Sequence, residues 1–219
     1  MRFMSERREE LIEKALEYFL KHGLAGLSLR PLAGQIGSSA RLLVYHFGSK
    51  DGLIAAVMGE VRARMQKSFA ASAAQSAAAS AAPRDGASPG ARGGRNRSAK
   101  GGRNDVMRSF WAWITHPDNV PSMRLLFEVQ VLAVQNPRVY ARYLEGTSST
   151  WLELIERSLP PSKTNRSVAT LCAAVMDGLL LEYLSTGDRR RTTSALELFS
   201  TMLRGQTGEG GMRGRTRRA

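Results

Sequence analysis

The stretch GSSARLLVYHFGSKDGL, residues 37–53, decides the fold of this 219-residue chain. Two glycine-serine breaks, beginning at Gly37 and at Gly48, enclose a run long enough for only about two helical turns. Ser38 or Ser39 can accept a hydrogen bond from the free N–H groups at the start of such a helix. The two breaks therefore predict a very short helix between two longer ones.

This short helix would carry a polar face that it is too small to bury. Leu43 and Phe47 are four residues apart and should point into the core. The opposite face is then formed by Ala40, Arg41, Val44 and Tyr45. In the major groove of DNA, Arg41 could donate to guanine O6 and N7, and the small apolar side chains could touch thymine methyl groups. Tyr45 could donate its hydroxyl to a phosphate.

Lys50 occupies a position where a helix disfavours a cation. Ser49 caps a fourth helix that begins at Lys50, and the positive end of the helix dipole lies there. A DNA phosphate at this helix end would resolve the conflict. The alternative is a solvated lysine offset by Asp51. Together with Arg41 and Tyr45, the position favours phosphate binding.

The preceding residues supply the rest of a helix-turn-helix. Residues 5–22 repeat apolar side chains with a 3.6-residue period and place glutamates in the first turns, which suits the helix dipole. Gly23 ends this helix. Ser28 caps a second helix, and Pro31 falls in its first turn, where a missing N–H is harmless. Helices separated by such tight breaks predict a helix-turn-helix with a supporting first helix.

This region resembles the DNA-binding domain of the tetracycline-repressor (TetR) family of bacterial transcription regulators. The resemblance covers about residues 5–65 and rests on the capped second helix, the glycine of the turn and the start of the fourth helix. The other residues that carry it are Leu43, Tyr45, His46, Phe47, Ser49 and Lys50.

The resemblance implies a recognition helix at residues 39–46, an Arg30 that reaches the groove and a Lys50 that contacts the DNA backbone. The DNA-binding residues expected are Ser28, Arg30, Ser39, Ala40, Arg41, Val44, Tyr45, His46 and Lys50. Ser38, Arg41 and Val44 depart from the family's usual valine, glycine or proline, and aromatic residue at these positions. The departures leave the base preference open.

The net charge of +13 is concentrated in the N-terminal region and in two low-complexity segments. Residues 70–104 carry a net charge of +5 and residues 205–219 one of +3, whereas residues 105–204 carry only +1. The alanine-rich start of the first segment could prolong the fourth helix until Pro83. We expect the rest to be a flexible insertion, and residues 205–219 to be a disordered basic tail. The arginines of both segments also permit an alternative function, a sequence-indifferent DNA-coating protein.

Residues 105–204 predict a second helical domain, for ligand binding and dimerisation, so the expected fold class is all-α. By analogy with the family, its aromatic residues could form an effector pocket, to which Glu128 or Gln130 could add polar contacts. Core packing is the alternative explanation for each aromatic residue. The pocket residues expected are Trp111, Trp113, Phe127, Tyr140, Trp151 and Met176. The run MDGLLLEYLSTGD, residues 176–188, has more apolar surface than one flank can bury, which indicates a second interface. The resemblance to the family implies that this interface is a homodimer contact of the last two helices, residues 165–204.

Catalysis has little support, because no metal, nucleophile or nucleotide motif occurs and the three histidines are isolated. We therefore expect no enzymatic activity, no metal and no cofactor. With the single Cys172, no signal peptide and no apolar run of about 18 residues, the sequence predicts a cytoplasmic protein that does not contact a membrane. The combined prediction is a ligand-responsive homodimeric repressor of a palindromic DNA operator, with an unknown small apolar or amphipathic effector.

Overall fold

The computed structural model describes residues 2–81, 102–141, 143–144, 152–153, 155–157 and 162–209. Within these ranges the chain forms helices and connecting turns and contains no strand, which confirms the all-α prediction. The helices are α1 (Arg2–His22), α2 (Leu29–Gln35), α3 (Ala40–Phe47), α4 (Lys50–Ala81), α5 (Gly102–Ile114), α6 (Val120–Gln135), α7 (Asn165–Thr186) and α8 (Arg189–Glu209).

The first helix starts earlier than its capping pattern suggests. It begins at Arg2, so no acidic residue lies in its first turn. Glu10 pairs with cations instead: its carboxylate lies 2.8 Å from the Nζ of Lys14 and also binds Arg7. These hydrogen bonds, the one from Lys14 first, lower the pKa of Glu10. Glu10 is therefore stabilised by neighbouring side chains of α1 and not by the helix dipole.

The short helices α2 and α3 begin after the N-cap serines that the sequence predicts, Ser28 and Ser39. Ser39, and not Ser38, caps α3, and its hydroxyl accepts a backbone N–H at 3.1 Å. Ser49 likewise accepts a backbone N–H at 2.9 Å at the start of α4. Ser28 stands in extended backbone at the N-cap of α2 but makes no capping hydrogen bond with its side chain.

The described residues fall into two compact units, and the first contains α1 to α4 together with α6. The sequence assigned α6 to the second domain, yet it packs on α1 and α4. Arg64 of α4 pairs with Glu13 of α1 and with Glu60, which ties the two longest helices of this unit together. The largest buried side chains of the unit include Leu11, Phe19, Leu32, Leu43, Leu53, Ile54, Met58, Leu125 and Tyr140.

The second unit contains α5, α7 and α8. The indole Nε1–H of Trp111 in α5 donates to the hydroxyl of Thr193 in α8 at 2.8 Å. The Trp111 ring also meets Tyr183 of α7 edge to face, with 6.5 Å between ring centroids. Trp111, Tyr183 and Thr193 thus form a cluster to which α5, α7 and α8 contribute one residue each. Gly187 adopts the left-handed conformation that lets the chain turn from α7 into α8.

The low-complexity segments are described only where they continue helices. α4 runs through the alanine-rich stretch as far as Ala81, as expected for a helix that Pro83 stops. α8 extends to Glu209, so the first residues of the predicted tail are helical. Residues 82–101 and 210–219, on which the flexible insertion and the rest of the basic tail were predicted, lie outside the described residues.

The apolar character of α7 is greater than the sequence interpretation allowed. By length and composition alone, this helix could cross a membrane, although we expected no such segment. One face of α7 is buried, through Ala169, Cys172, Met176 and Leu180. The remaining face exposes Leu171 and Leu181 to solvent.

Candidate nucleic-acid interface

The recognition face predicted on α3 is present and open to solvent. Leu43 is 1 % exposed and anchors the helix in the core. On the other side Arg41 and Val44 are exposed, and the Tyr45 side chain is 67 % exposed. Ala40 is half-buried at the start of the helix. A short helix fixed by one buried leucine therefore presents a guanidinium group, a phenol and small apolar groups together.

Aromatic contacts support the C-terminal end of α3. The half-buried His46 ring lies 5.2 Å from the Tyr45 ring, and 6.2 Å from Phe47, between ring centroids. On the α1 side, the Arg8 guanidinium lies 5.1 Å from the centroid of the Phe47 ring. Arg8 was not predictable as a neighbour of α3, because nothing in its local sequence pattern shows that it reaches this helix.

Lys50 is exposed at the first position of α4, next to Ser49, which caps the helix. The structure also shows where the neighbouring carboxylate is engaged: Asp51 accepts a hydrogen bond of 3.1 Å from the hydroxyl of Tyr140. Within the described part of the chain, no ion pair joins Lys50 to Asp51. The ammonium group of Lys50 is thus exposed at a helix N-terminus.

Gly52 allows the chain to turn from α3 into α4. A Cβ atom at this position would overlap the backbone carbonyl oxygen of Phe47. Only glycine therefore permits the close approach of the two helix ends that sets Lys50 beside α3. Gly48, between them, has a φ of +77°, which also favours glycine. Gly48 was predictable as a break between helices, whereas Gly52 was not, because it lies inside the first turn of α4.

The cations of the first unit divide into two groups. Arg7, Lys14 and Arg64 form ion pairs with carboxylates of α1 or α4. Arg30 of α2, Arg41 of α3 and Lys50 of α4 are all exposed. Among the described residues, these last three have no carboxylate partner. The helix-turn-helix elements thus present three exposed cations without a carboxylate partner in the described part of the chain, and the expected Ser28 is also exposed at the α2 N-cap.

The comparisons with known proteins agree with this arrangement. The family model "Bacterial regulatory proteins, tetR family" matches residues 11–57. The regulator BetI of Burkholderia thailandensis is 31 % identical over 192 residues, which cover 88 % of this chain and 89 % of BetI. The chain belongs to the TetR family. The HTH-type transcriptional repressor AcnR of Corynebacterium diphtheriae is 23 % identical over 209 residues, covering 92 % of this chain and 93 % of AcnR.

A solved structure extends the likeness to the whole TetR-type fold. The multidrug binding protein EbrR, crystallised with ethidium, superposes with a TM-score of 0.65 at 21 % identity. The match covers 90 % of this chain and 97 % of EbrR. At this identity the comparison supports the fold, an N-terminal helix-turn-helix followed by a helical C-terminal region. This chain is thus a DNA-binding transcriptional regulator of the TetR family.

In this TetR-family chain, α6 stabilises the helix-turn-helix from within the same unit. The backbone N–H of Leu24, in the turn after α1, donates to the Glu128 carboxylate at 2.5 Å. Gly23 is also in close contact, since a Cβ there would lie 3.2 Å from the same carboxylate oxygens. Glu128, considered above as a polar contact for a ligand, therefore binds the turn between α1 and α2.

Residues just after α6 hold the start of α4 in a similar way. Tyr140 is fully buried, and burial together with the Asp51 charge raises the pKa of its phenol. Farther along α4, the Arg62 guanidinium donates to the backbone carbonyl of Tyr143 and lies 4.8 Å from that ring's centroid. These contacts join α4 to the segment after α6 at two levels along its length.

The predicted effector-pocket residues are distributed over both units. Phe127 is half-buried in the first unit, to which Tyr140 also belongs. In the second unit, Met176 is buried, and Trp113 stacks on Phe110 with 6.1 Å between centroids. Trp111 borders a cavity between α5 and α8. Trp151 lies outside the described residues.

Proposed function

We propose that this protein is a homodimeric, ligand-responsive repressor that binds a palindromic DNA operator. The observation that carries the DNA part is the exposed α3 face with its unpaired Arg41, flanked by the unpaired Arg30 and Lys50. Exposed guanidinium and ammonium groups without carboxylate partners are suited to phosphates and base edges. The TetR-family relatives, among them a transcriptional repressor, support regulation by DNA binding.

The residues of the interface have different roles in this proposal. Arg41 reads a guanine through O6 and N7, while Ala40 and Val44 contact thymine methyl groups. Lys50 binds a phosphate at the N-terminus of α4. The groups that position the protein on the DNA backbone or groove edge are Ser28, Arg30, Ser39, Tyr45 and His46. Base reading is thus concentrated on one face of α3.

Selection of bound fragments from random DNA with the purified full-length chain tests this proposal. We expect enrichment of one inverted repeat, because two identical reading heads bind two identical half-sites. Binding to the selected site should exceed binding to unrelated DNA by a factor of about 10³ or more at physiological salt. A pool without any enriched sequence, bound with a steep salt dependence, would instead favour the DNA-coating alternative.

The dimer is proposed to form through residues 165–204. α7 and α8 expose large apolar side chains, with Leu181 51 % and Leu198 64 % exposed, and Leu171 and Met202 are exposed to a similar degree. Exposed apolar surface on a helix pair is typical of a protein–protein interface. The apolar length of α7, sufficient for a membrane span by composition, is explained in the same way by a helix-pair interface. A cytoplasmic location agrees with this assignment.

The response to an effector is proposed from the family and from the second unit. EbrR, of the same fold, has been crystallised with ethidium. In this chain Trp111 borders a cavity of about 640 Å³, within the size range of small-molecule sites. Of the predicted pocket residues, Trp113 and Met176 belong to the same unit as this cavity. Titration of tryptophan emission with candidate compounds, followed by operator release, tests the response.

A further inference from the structure

The cavity of about 640 Å³ in the second unit lies between α5 and α8. Ala112 is exposed at its apolar side, Trp111 and Leu196 form its base, where they are 3 % and 1 % exposed, and its polar part consists of hydroxyl, guanidinium and carboxylate groups. The Trp111 indole is held in place by its hydrogen bond to Thr193, which also borders the cavity. The apolar wall is therefore preorganised by a contact between the two helices.

Three arginines border this cavity: Arg108 of α5, and Arg189 and Arg190 of α8. Arg108 is 3.9 Å from the carboxylate of Glu197, which is the one acidic side chain among the cavity-lining residues. Arg189 and Arg190 are exposed and have no ion-pair or hydrogen-bond partner for their side chains among the described residues. The cavity therefore has two guanidinium groups without a counterion.

The neighbouring Arg191 shows that this is not a general property of the basic run RRR at residues 189–191. Arg191 binds Glu182 at 2.5 Å and approaches Asp188 at 3.6 Å. These carboxylates raise the pKa of Arg191, Glu182 first. The acidic groups near the start of α8 are thus engaged by the arginine that does not border the cavity. Arg189 and Arg190, which border the cavity, therefore do not pair with either of these carboxylates.

We propose that this cavity binds an amphipathic organic anion, with its acidic head on Arg189 and Arg190 and its apolar body against Ala112 and the base formed by Trp111 and Leu196. Guanidinium groups bind carboxylates and phosphates through paired hydrogen bonds. An apolar wall beside them adds affinity for a hydrocarbon body but none for a bare inorganic ion. A cation of the same size is disfavoured by the arginines. Anion binding follows from this cavity alone, whereas its role as the effector rests on the proposed repressor function.

The test compares four probes on the full-length protein by calorimetry and tryptophan emission: octanoate, 1-octanol, octyltrimethylammonium and inorganic phosphate. We expect octanoate to bind at least about tenfold more tightly than the other three, since it alone has both an acid and a chain. R189Q/R190Q should weaken octanoate binding about tenfold or more, because charge-assisted hydrogen bonds are lost. R124Q/R138Q, which neutralises two exposed arginines of the other unit, should leave octanoate binding unchanged.

Several results would overturn the proposal. One is equal affinity for octanoate and octanol, which would show that charge plays no part. Another is equal octanoate binding by R189Q/R190Q and the parent protein, and a third is no octanoate binding at millimolar concentration. Because both substituted arginines are exposed, R189Q/R190Q should keep the parent helical circular dichroism and melting temperature, and a loss of either would be seen directly.

Operator affinity separates the failure of the site from the failure of the repressor function. If octanoate binds through the two arginines and also releases the selected operator, both proposals are supported. If it binds but leaves operator affinity unchanged, the anion site stands and its role as an effector site is wrong. If fragment selection yields no operator, the repressor proposal fails, while the binding results still decide the site.

Discussion

Arg41 and Lys50 are both exposed cations without a carboxylate partner in the described ranges, and their different positions lead us to expect different tasks on DNA. Arg41 projects from the solvent face of α3, whereas Lys50 begins α4. We expect Arg41→Ala to lose about 1–3 kcal/mol on the selected operator and to relax sequence preference at one base pair. Lys50→Ala should weaken all sequences alike and lower the salt slope by about one. Filter binding at several salt concentrations measures both effects.

Lys67 provides a control for these variants, since it is an exposed lysine on α4, more than four turns beyond Lys50. Lys67→Ala should change neither sequence preference nor salt slope. Loss of preference to the same degree in Arg41→Ala and Lys50→Ala would contradict the separate roles. Equal salt slopes for Lys50→Ala and the parent protein would contradict the phosphate contact.

At the scale of the element, the start of α4 depends on the absence of a Cβ atom at Gly52. Gly52→Ala would drive a Cβ atom into the carbonyl oxygen of Phe47, so the end of α3 or the start of α4 must shift. We expect a loss of about 1–3 kcal/mol in the free energy of unfolding, as for other overpacked sites. Operator affinity should also fall, since Lys50 moves with the helix start. Denaturant unfolding and operator titration measure the two effects.

Gly59 is the matched control for Gly52, because it lies in the same helix with nothing within 4 Å of an added Cβ. Gly59→Ala should leave stability unchanged or raise it by up to about 1 kcal/mol, through the higher helix propensity of alanine. Operator affinity should remain at the parent value. If Gly52→Ala and Gly59→Ala had the same effect on unfolding, the steric explanation would be wrong.

Elements were predictable from the sequence where the determining contacts are local. The cap at Ser39, the buried Leu43 and the exposed face of α3 depend on residues within one or two turns of each other, so periodicity and capping patterns suffice. The packing of α6 in the first unit, against α1 and α4, was not predictable from the sequence. It depends on the bond from Leu24 to Glu128, 104 residues apart, and the one from Tyr140 to Asp51, 89 residues apart.

The candidate ligand site shows the same limit. Aromatic residues could be counted in the sequence, but their contacts require the tertiary arrangement, which places Trp111 of α5 beside Thr193 of α8. The sequence also could not predict which arginines contribute positive charge to the cavity. Arg189, Arg190 and Arg191 are equivalent in a charge count, and only the structure shows which of them has carboxylate partners.

For the molecule as a whole, dimer formation should depend on the exposed residues of α7 and α8. Leu180 is 3 % exposed, so a charge there would disrupt the core of the unit. L181E/L198E changes two exposed leucines instead, and should give a folded monomer in analytical ultracentrifugation. Operator affinity should fall about 100-fold or more, because two linked reading heads become one.

Val134→Glu introduces a charge at an apolar residue of α6 that is even more exposed, and it serves as the control for the dimer variant. It should remain dimeric and keep operator affinity. The proposed interface would be wrong if L181E/L198E stayed dimeric. The need for two reading heads would be wrong if a folded monomer bound the inverted repeat with the parent affinity.

Effector and operator binding must also be coupled reciprocally across the whole molecule. A ligand releases DNA only if it binds better to a conformation in which the two reading heads do not match the operator. Coupling in such systems is about 1–3 kcal/mol, or roughly 5- to 150-fold in affinity. We therefore expect saturating operator to weaken octanoate binding by the same factor by which saturating octanoate weakens operator binding. Tryptophan emission follows the first equilibrium, since the three tryptophans lie outside the helix-turn-helix, and fluorescence anisotropy of labelled operator follows the second. Unequal factors would exclude a common conformational equilibrium, and a factor of one in both directions would show that the cavity does not control repression.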